Sequence, residues 1–310
     1  MFMEYTIYKL EFLNGAHFGN NTLESAQCTF QADTLFSALC IEAVKKHKNL
    51  LNQLVNYVEN GELILSDAFP YIQDEYYIPK PFIHIENNSQ GNSVIKKAYK
   101  QMEYIPLSGL DDFLRGTLPL EKTHELEQLG RSFSKVSVSV RGEEEPMPYR
   151  VGIYYYNNGC GLYLIVGHAD IQVMEFFEEL LEGVSFSGIG GKRNTGLGHF
   201  TYYKVKKMPA QLEDRLAKDK GTFMTLSVSL PAEHEIDKVL EQASYTLEKR
   251  SGFVDSTEYA QQQLRKKDLY VFKAGACVST KYEGAVYDVA AGGKHAVYRY
   301  AKPLFMEVSP

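Results

Sequence analysis

The first stretch of the chain shows an apolar pattern of strand, helix and strand. Residues 5–12 alternate between apolar and polar side chains, which predicts a strand. Residues 33–47 repeat apolar positions every three or four residues, which predicts a helix, and Asp33 stands where an N-cap would. A short helix over 50–58 and a strand over 62–66 follow. The order predicts a β-α-β unit.

The same order returns about a hundred residues later. Residues 161–166 and 199–206 read as strands, and 171–181 reads as an amphipathic helix with Asp170 as its cap. Two such units predict a ferredoxin-like domain, in which one antiparallel sheet carries both helices on one face. The fold class predicted is therefore α+β.

The length of 310 residues favours about two domains. We predict a first ferredoxin-like domain over 1–207, a charged linker over 208–221 and a second ferredoxin-like domain over 222–310, whose topology the pattern leaves open. The first domain carries a long insertion over 69–133, where prolines disfavour regular sheet. Residues 135–156 alternate on both sides of an acidic, proline-containing loop and predict a hairpin, either a projecting contact arm or an edge hairpin folded onto its own sheet.

Charge and cysteine content limit the classes of function that the sequence predicts. The formal net charge is −6, so a nucleic-acid surface would be a local basic feature on an acidic protein. The four cysteines are widely spaced and lack a zinc-ligand pattern, which indicates reduced thiols of a cytoplasmic protein. No apolar run approaches the length of a membrane span and the N-terminus is unlike a targeting peptide. We expect no metal, no cofactor and no membrane partner.

A glycine-rich segment, SGIGGKRNTGLGHF, joins the second predicted helix to the last strand. Glycine lets main-chain N–H groups approach a polyanion closely, and the central cations and polar side chains add further contacts. The candidate phosphate-binding residues are Gly188, Gly190, Gly191, Lys192, Arg193, Asn194, Thr195, Gly196 and Gly198. The segment matches neither the P-loop motif of nucleotide-binding proteins nor the glycine motif of dinucleotide-binding proteins. The alternative is a turn whose cations are merely solvated.

Other candidates are weaker. Tyrosines and lysines alternate along the strand after the glycine-rich segment and could stack a base, although a strand tyrosine is more often a packing residue. Lys249 and Arg250 form a further cation pair, which could equally be a solvated face. His17 and His199 could act as acid and base in RNA cleavage beside Lys192, but nothing in the sequence brings them together, and we predict no catalytic residue.

Three blocks of sequence carry a family resemblance that spans nearly the whole chain. They are LNGAHFG with FQADTLFSALC, then FSGIGGKRNTGLGHF, then KRSGF with KKDLYVFKAGACV and YRYAKPLF. Together they resemble the RAMP superfamily of CRISPR RNA-binding proteins. Within it they are similar to the subunit of the type III-A interference complex, the Csm complex, that caps the 5′ end of the guide RNA.

The resemblance implies a function and partners. It implies two ferredoxin-like domains that bind the repeat-derived 5′ tag of the crRNA and contact the large polymerase-like subunit and the first backbone subunit. The glycine-rich segment would hold the tag, with His17 and Phe18 nearby. The hairpin over 135–156 would be a thumb that reaches the guide–target duplex. Catalysis is not carried over, because Asp33 lacks the context of the cleavage loop of the backbone subunits. The alternatives are a metal-independent RAMP endoribonuclease and a protein adaptor without RNA contact.

Overall fold

The computed structural model describes residues 3–20, 22–84, 93–139, 147–256 and 258–309. In the first half, the strands are β1 (Glu4–Phe12), β2 (Phe18–Asn20), β3 (Thr22–Gln27), β4 (Leu63–Leu65), β5 (Phe69–Ile72), β6 (Glu75–Pro79), β7 (Tyr104–Pro106), β8 (Gly130–Ser139), β9 (Met147–Tyr156), β10 (Cys160–His168) and β11 (Phe200–Lys204). The helices are α1 (Ala32–Lys46), α2 (Lys48–Glu59), α3 (Ser93–Gln101), α4 (Leu110–Leu114) and α5 (Ile171–Ser187). Each helix and strand predicted in the two β-α-β patterns is present, with shifted ends.

The second half is built of short elements. Its strands are β12 (Phe223–Thr225), β13 (Ala243–Ser244), β14 (Leu247–Arg250), β15 (Leu269–Phe272), β16 (Cys277–Val278), β17 (Ala285–Asp288), β18 (Tyr298–Ala301) and β19 (Phe305–Glu307). Its helices are α6 (Ala210–Leu216) and α7 (Ile236–Leu240). A four-stranded sheet has the order β13-β16-β12-β19, and β14-β15 and β17-β18 form separate two-stranded ribbons. The fold is mixed α and β with several antiparallel sheets.

The main sheet has the order β11-β1-β10-β5-β6-β7, and β4 also pairs with β10. Strand β1 lies between β11 and β10 and is antiparallel to β10 from Glu4 opposite His168 to Leu10 opposite Leu162. On its other edge, β1 pairs with β11. The strand that follows the glycine-rich segment is therefore fixed beside the first strand of the chain.

Both faces of this sheet are covered. Tyr8 and Leu10 point into a core shared with helices α1, α2 and α5, whereas Ile7, Tyr163 and Ile165 belong to a second core that includes residues of α6, β12 and β19. Every residue of β10 is buried. This explains its nearly continuous apolar sequence, since a strand covered on both faces has no solvent side to make polar.

The insertion predicted to be irregular contributes three strands to the main sheet, β5, β6 and β7, and that prediction was wrong. The proline rule failed because of local geometry. Pro70 pairs with Leu162 of β10, but the pairing of β5 with β6 covers only Tyr71 and Ile72. Pro70 thus has a neighbouring strand on one side only, which is the kind of edge position where a sheet tolerates proline.

The predicted helix caps had different outcomes. Asp170 caps α5 as predicted, because its carboxylate accepts hydrogen bonds from the main-chain N–H groups of Gln172 and Val173, at 2.8 and 2.9 Å. Asp33 does not cap α1. The cap position is Gln31, and Asp33 lies in the first turn, where its buried carboxylate accepts hydrogen bonds from Arg250 and Arg299 of the second half.

No helix among the residues that the structure describes is long and apolar enough to cross a membrane. The four cysteines form no disulfide; Cys160 and Cys277 are buried, and Cys28 and Cys40 are partly buried. Burial raises the pKa of the Cys28 thiol to about 11 and those of Cys40 and Cys277 to about 12, so these three thiols stay protonated and unreactive near neutral pH.

Candidate nucleic-acid interface

The glycine-rich segment, called the glycine loop (188–198) below, begins where α5 ends. Gly188 is the C-cap of that helix, with φ of 78° and its N–H bonded to the carbonyl of Val184 at 2.8 Å. Helix α5 buries Phe177, Leu180 and Leu181 against the main sheet. The loop is therefore held at the end of a rigid, packed helix.

Two hydrogen bonds close the base of the loop. The N–H of Ile189, a fully buried residue, donates to the carbonyl of Gly198 at 2.9 Å, and the N–H of Gly198 donates to the carbonyl of Gly15 at 2.9 Å. A side chain at Gly198 has no room, because its Cβ would lie 2.0 Å from the carbonyl oxygen of Ile189, and φ there is 77°. Glycine at this position is a steric requirement of the closed loop.

The loop also lies against the segment of His17 and Phe18, and the two are near each other as the family resemblance implied. The N–H of Gly191 donates to the carbonyl of His17 at 2.9 Å, and a Cβ on Gly190 would lie 2.7 Å from the same oxygen. Both side chains are buried, with 6% and 4% of their surface exposed. The ring of Phe18 packs on Phe12 and on Phe30. The two residues support the loop from beneath, and a direct RNA contact by them stays a prediction.

The crown of the loop, residues 192–195, is a tight polar turn. Lys192 adopts a left-handed conformation with φ of 57°, and a 3₁₀ turn over Arg193–Thr195 follows. Thr195 fixes this turn, because its N–H and its hydroxyl both donate to the carbonyl of Lys192, at 3.0 and 2.7 Å. Asn194 and Thr195 are exposed. Successive main-chain N–H groups around a left-handed residue form a concave surface suited to an anion.

The two cations of the loop contact different elements. The Nζ of Lys192 lies 4.7 Å from the ring centroid of Tyr149 and 3.4 Å from its hydroxyl. Arg193 forms an ion pair with Asp255 of the second half. Tyr149 carries no charge, so this contact differs from the ion pair of Arg193 and leaves Lys192 able to meet a phosphate.

The predicted hairpin exists and begins earlier than predicted, at Gly130. Strands β8 and β9 pair from Gly130 opposite Tyr156 to Ser139 opposite Met147. Val151 and Ile153 of the hairpin form a small buried cluster with Leu197 of the glycine loop. The base of the hairpin is thus packed onto the loop. The predicted acidic turn, 142–148, lies largely outside the described residues, and the thumb role remains a prediction.

The two histidines considered for catalysis lie at different parts of the loop. His17 is placed beside Gly191, and its Nδ1 lies 2.7 Å from the carbonyl oxygen of Gly152, which fixes the ring by a hydrogen bond. His199 is half-buried beside Gly188. Within the described part of the chain, no hydrogen bond joins the two rings to each other or to Lys192. The expectation that the protein has no catalytic residue is left as a prediction.

Lys249 and Arg250 are neighbouring cations in the sequence, but their side chains point to opposite faces of strand β14. The guanidinium of Arg250 donates to both oxygens of Asp33, at 3.0 and 2.7 Å, and to Glu248 at 2.7 Å. Lys249 is exposed and forms an ion pair with Asp268 at 2.7 Å. Adjacent residues of a strand point to opposite faces, so only Lys249 is placed to meet a ligand from solvent.

Sequence reasoning missed three residues that shape this site. Tyr149 holds Lys192, Asp255 holds Arg193, and Gly15 anchors the base of the loop. The only available signal was the LNGAHFG block around Gly15, which was quoted for the resemblance without a role. The other two lie far from the loop in sequence, and no local pattern marks them.

The candidate site is thus a glycine loop between an antiparallel sheet, a long hairpin and a second α and β half, and comparison with known proteins shows which family has it. The model of the CRISPR Csm4 C-terminal domain matches residues 218–308. Csm4 of Mycobacterium tuberculosis (strain CDC 1551 / Oshkosh) is 36% identical over 313 residues, covering 98% of each chain. Csm4 of Streptococcus thermophilus is 33% identical over 315 residues, covering 99% of each. The chain belongs to the Csm4 family of type III CRISPR effector subunits, which confirms the resemblance.

Solved structures agree on the fold. One Csm3–Csm4 subcomplex of a type III-A interference complex contains a chain that superposes with a TM-score of 0.69 at 18% identity, covering 98% of this chain and 100% of that one. A Csm1–Csm4 cassette in complex with cA4 contains a chain that superposes with a TM-score of 0.61, also at 18% identity, covering 99% and 98%.

Proposed function

We propose that the protein is a non-catalytic crRNA-binding scaffold of a cytoplasmic type III-A complex and that the glycine loop holds the 5′ tag of the crRNA. The observation that carries the proposal is the crown of the loop. There the left-handed Lys192 leads into an exposed 3₁₀ turn whose first main-chain N–H groups have no acceptor within the turn, and among the described residues the amine of Lys192 contacts no carboxylate. Such a surface suits the phosphates of a single strand.

The scaffold role follows from where the loop sits. It contacts the hairpin through Leu197 and Lys192 and the second half through Arg193. RNA bound there would touch elements from across the chain, and target RNA would lie near through the guide duplex. The relatives occur in complexes with Csm3 and with Csm1. We infer that this chain likewise bridges a backbone subunit and the large polymerase-like subunit.

The fold fits this role. The sheet order β11-β1-β10, with β4 beyond β10, supports the ferredoxin-like prediction for residues 1–207. For residues 222–310, the four-stranded sheet β13-β16-β12-β19 does not follow from the sequence pattern. The second ferredoxin-like domain and the linker over 208–221 stay predictions.

Replacing Lys192 and Arg193 together by alanine tests the proposal. We expect the affinity for tag RNA to fall and the slope of log Kd against log salt to flatten by about one to two, because fewer phosphates are neutralised. The measurement is fluorescence anisotropy of labelled tag RNA across a salt series.

The matched control removes two exposed lysines that make no described contact with the loop, Lys220→Ala with Lys238→Ala. The control should keep the wild-type slope. An unchanged slope in the loop variant would show that the tag is held elsewhere.

A further inference from the structure

Strands β14 and β15 of the second half belong to a paired segment that is longer than the two strands themselves and reaches the glycine loop. Strand β14 pairs with β15 from Leu247 opposite Phe272 to Arg250 opposite Leu269. The pairing then continues: Lys266 donates to the carbonyl of Gly252 at 2.8 Å, and Phe253 bridges Arg265. We call residues 247–255 and 264–272 together the ribbon.

The ribbon has an inner and an outer face. Along its first strand exposure alternates, so that the even positions turn inward, where Arg250 binds Asp33 and Val254 is buried. The exposed outer positions are Leu247, Lys249, Ser251, Phe253 and Asp255 on one strand and Arg265, Lys267, Asp268 and Tyr270 on the other. The inner face joins the ribbon to the rest of the fold, whereas on the outer face the rings of Phe253 and Tyr270 are left exposed.

The chemistry of the outer face is aromatic and cationic. Phe253 is 52% exposed and Tyr270 is 56% exposed. The guanidinium of Arg265 lies 5.6 Å from the ring centroid of Phe253. Lys267 is exposed, and among the described residues its amine has no ion-pair partner. Exposed rings interleaved with cations are typical of platforms that stack bases and hold phosphates of single-stranded RNA.

The outer face continues from the glycine loop. Asp255 at the end of the ribbon binds Arg193 of the loop, and Phe253 lies two residues before it on the same face. Four residues further back stands Lys249, whose strand partner is Tyr270. The distance from Phe253 to this pair is roughly 13 Å along a strand. An extended single strand leaving the loop can therefore reach both rings.

We propose that the outer face of the ribbon is a second RNA contact. It stacks unpaired bases on Phe253 and Tyr270, while Arg265, Lys267 and Lys249 meet the phosphates. This inference rests on the proposed function, since it takes the loop as the first grip. RNA is favoured over a protein partner because lysine is depleted in protein interface cores, whereas this face carries Lys249, Arg265 and Lys267, and its carboxylates Asp255 and Asp268 are already paired with Arg193 and Lys249. A paired duplex does not fit, because stacking on a side chain needs a splayed base.

The test compares the full-length protein with a Phe253→Ala, Tyr270→Ala double variant on two labelled RNAs. Both contain the start of the tag; one has about 4 nucleotides and the other about 16, the range of single-strand site sizes. We expect the variant to bind the long RNA at least tenfold more weakly and the short RNA normally, because only the long strand reaches the ribbon. Both rings are exposed, so folding should be intact, which a thermal melt checks.

Three controls separate the outcomes. Ile171→Ala removes another exposed apolar side chain, 57% exposed at the far end of α5, and should leave both affinities unchanged. Arg265→Ala with Lys267→Ala should flatten the salt slope for the long RNA alone. If replacing Lys192 and Arg193 by alanine abolishes binding to both RNAs, the glycine loop is established as an RNA contact independently of the ribbon.

The proposal is overturned if the double ring variant binds both RNAs as tightly as the wild type, or weakens both equally. It is also overturned if RNA binding is unchanged and binding to a partner subunit is lost, which would make the ribbon a protein interface. In each of these cases the loop variant still reports on the proposed function separately.

Discussion

Replacing Asp33 by asparagine should lower the free energy of unfolding by about 3–5 kcal/mol, the typical cost of removing one partner from a buried ion pair. The side chains of Asp33 and Arg299 are each 5% exposed, and that of Arg250 is 17% exposed. One carboxylate serves both guanidiniums, with Arg250 donating at 3.0 and 2.7 Å and Arg299 at 2.8 Å. Without the carboxylate of Asp33, the guanidiniums of Arg250 and Arg299 stay buried with too few hydrogen-bond acceptors.

The ion pairs of Asp33 connect the two halves of the molecule. Asp33 is in the first turn of α1, Arg250 ends β14 and Arg299 lies in β18, so the carboxylate joins the first half to the inner face of the ribbon. Chemical denaturation followed by circular dichroism measures the loss. Asp214→Asn, at an exposed position of α6, removes a charge of the same kind and should cost little. Equal stability of Asp33→Asn and Asp214→Asn would refute a structural role for the cluster.

The same cluster predicts a pH dependence. Burial by itself would raise the pKa of Asp33, but the adjacent guanidiniums of Arg250 and Arg299 outweigh it and hold the pKa below its ordinary value. The folded state then binds fewer protons than the unfolded state. The stabilisation is complete above the unfolded pKa of about 4 and is lost as the pH falls through the folded value. This acid-dependent part of the stability should be absent from Asp33→Asn.

Replacing Gly198 by alanine should lower the free energy of unfolding by about 2–3 kcal/mol and weaken tag binding about tenfold or more. The new Cβ would lie 2.0 Å from the carbonyl oxygen of Ile189, in a backbone with φ of 77°. The residue would have to move, which breaks the hydrogen bonds that join Gly198 to Ile189 and to Gly15. The loop would open at its base, and the polar turn over Arg193–Thr195 would lose the support that positions it.

Gly196→Ala is the matched control in the same loop. Its φ is similar, 85°, but the nearest atom to a Cβ there is the side-chain nitrogen of Asn14 at 3.9 Å. Alanine at 196 thus meets the backbone cost alone, about 1 kcal/mol. Denaturant unfolding and anisotropy on both variants measure the difference. If the two variants behave alike, crowding at the base does not hold the loop in shape.

The regular elements of the first half were predictable because their signals are local. The alternation of β1, the spacing of apolar residues in α1 and the cap of α5 each follow from neighbouring residues. The glycine loop was found for the same reason, since its composition stands out in one short window. What it packs against, namely Gly15, Tyr149 and Asp255, was not predictable.

The errors all involve distant partners. Asp33 looked like a cap, because the arginines that bind it lie 217 and 266 residues away. Pro70 looked like a break in the sheet, although only one neighbouring strand pairs there. The topology of the second half stayed open because strands such as β12 and β16, with 3 and 2 residues, are too short for alternation to show.

We propose that this chain holds the crRNA 5′ tag without cutting it. The most direct measurement mixes the purified protein, without added metal, with labelled crRNA carrying its tag and with a tagless RNA of equal length. Binding and strand integrity are followed together. We predict tight, tag-dependent binding of intact RNA. Equal affinity for both RNAs would contradict it, and so would a discrete cleavage product abolished by His17→Ala or His199→Ala, which would make the protein a nuclease.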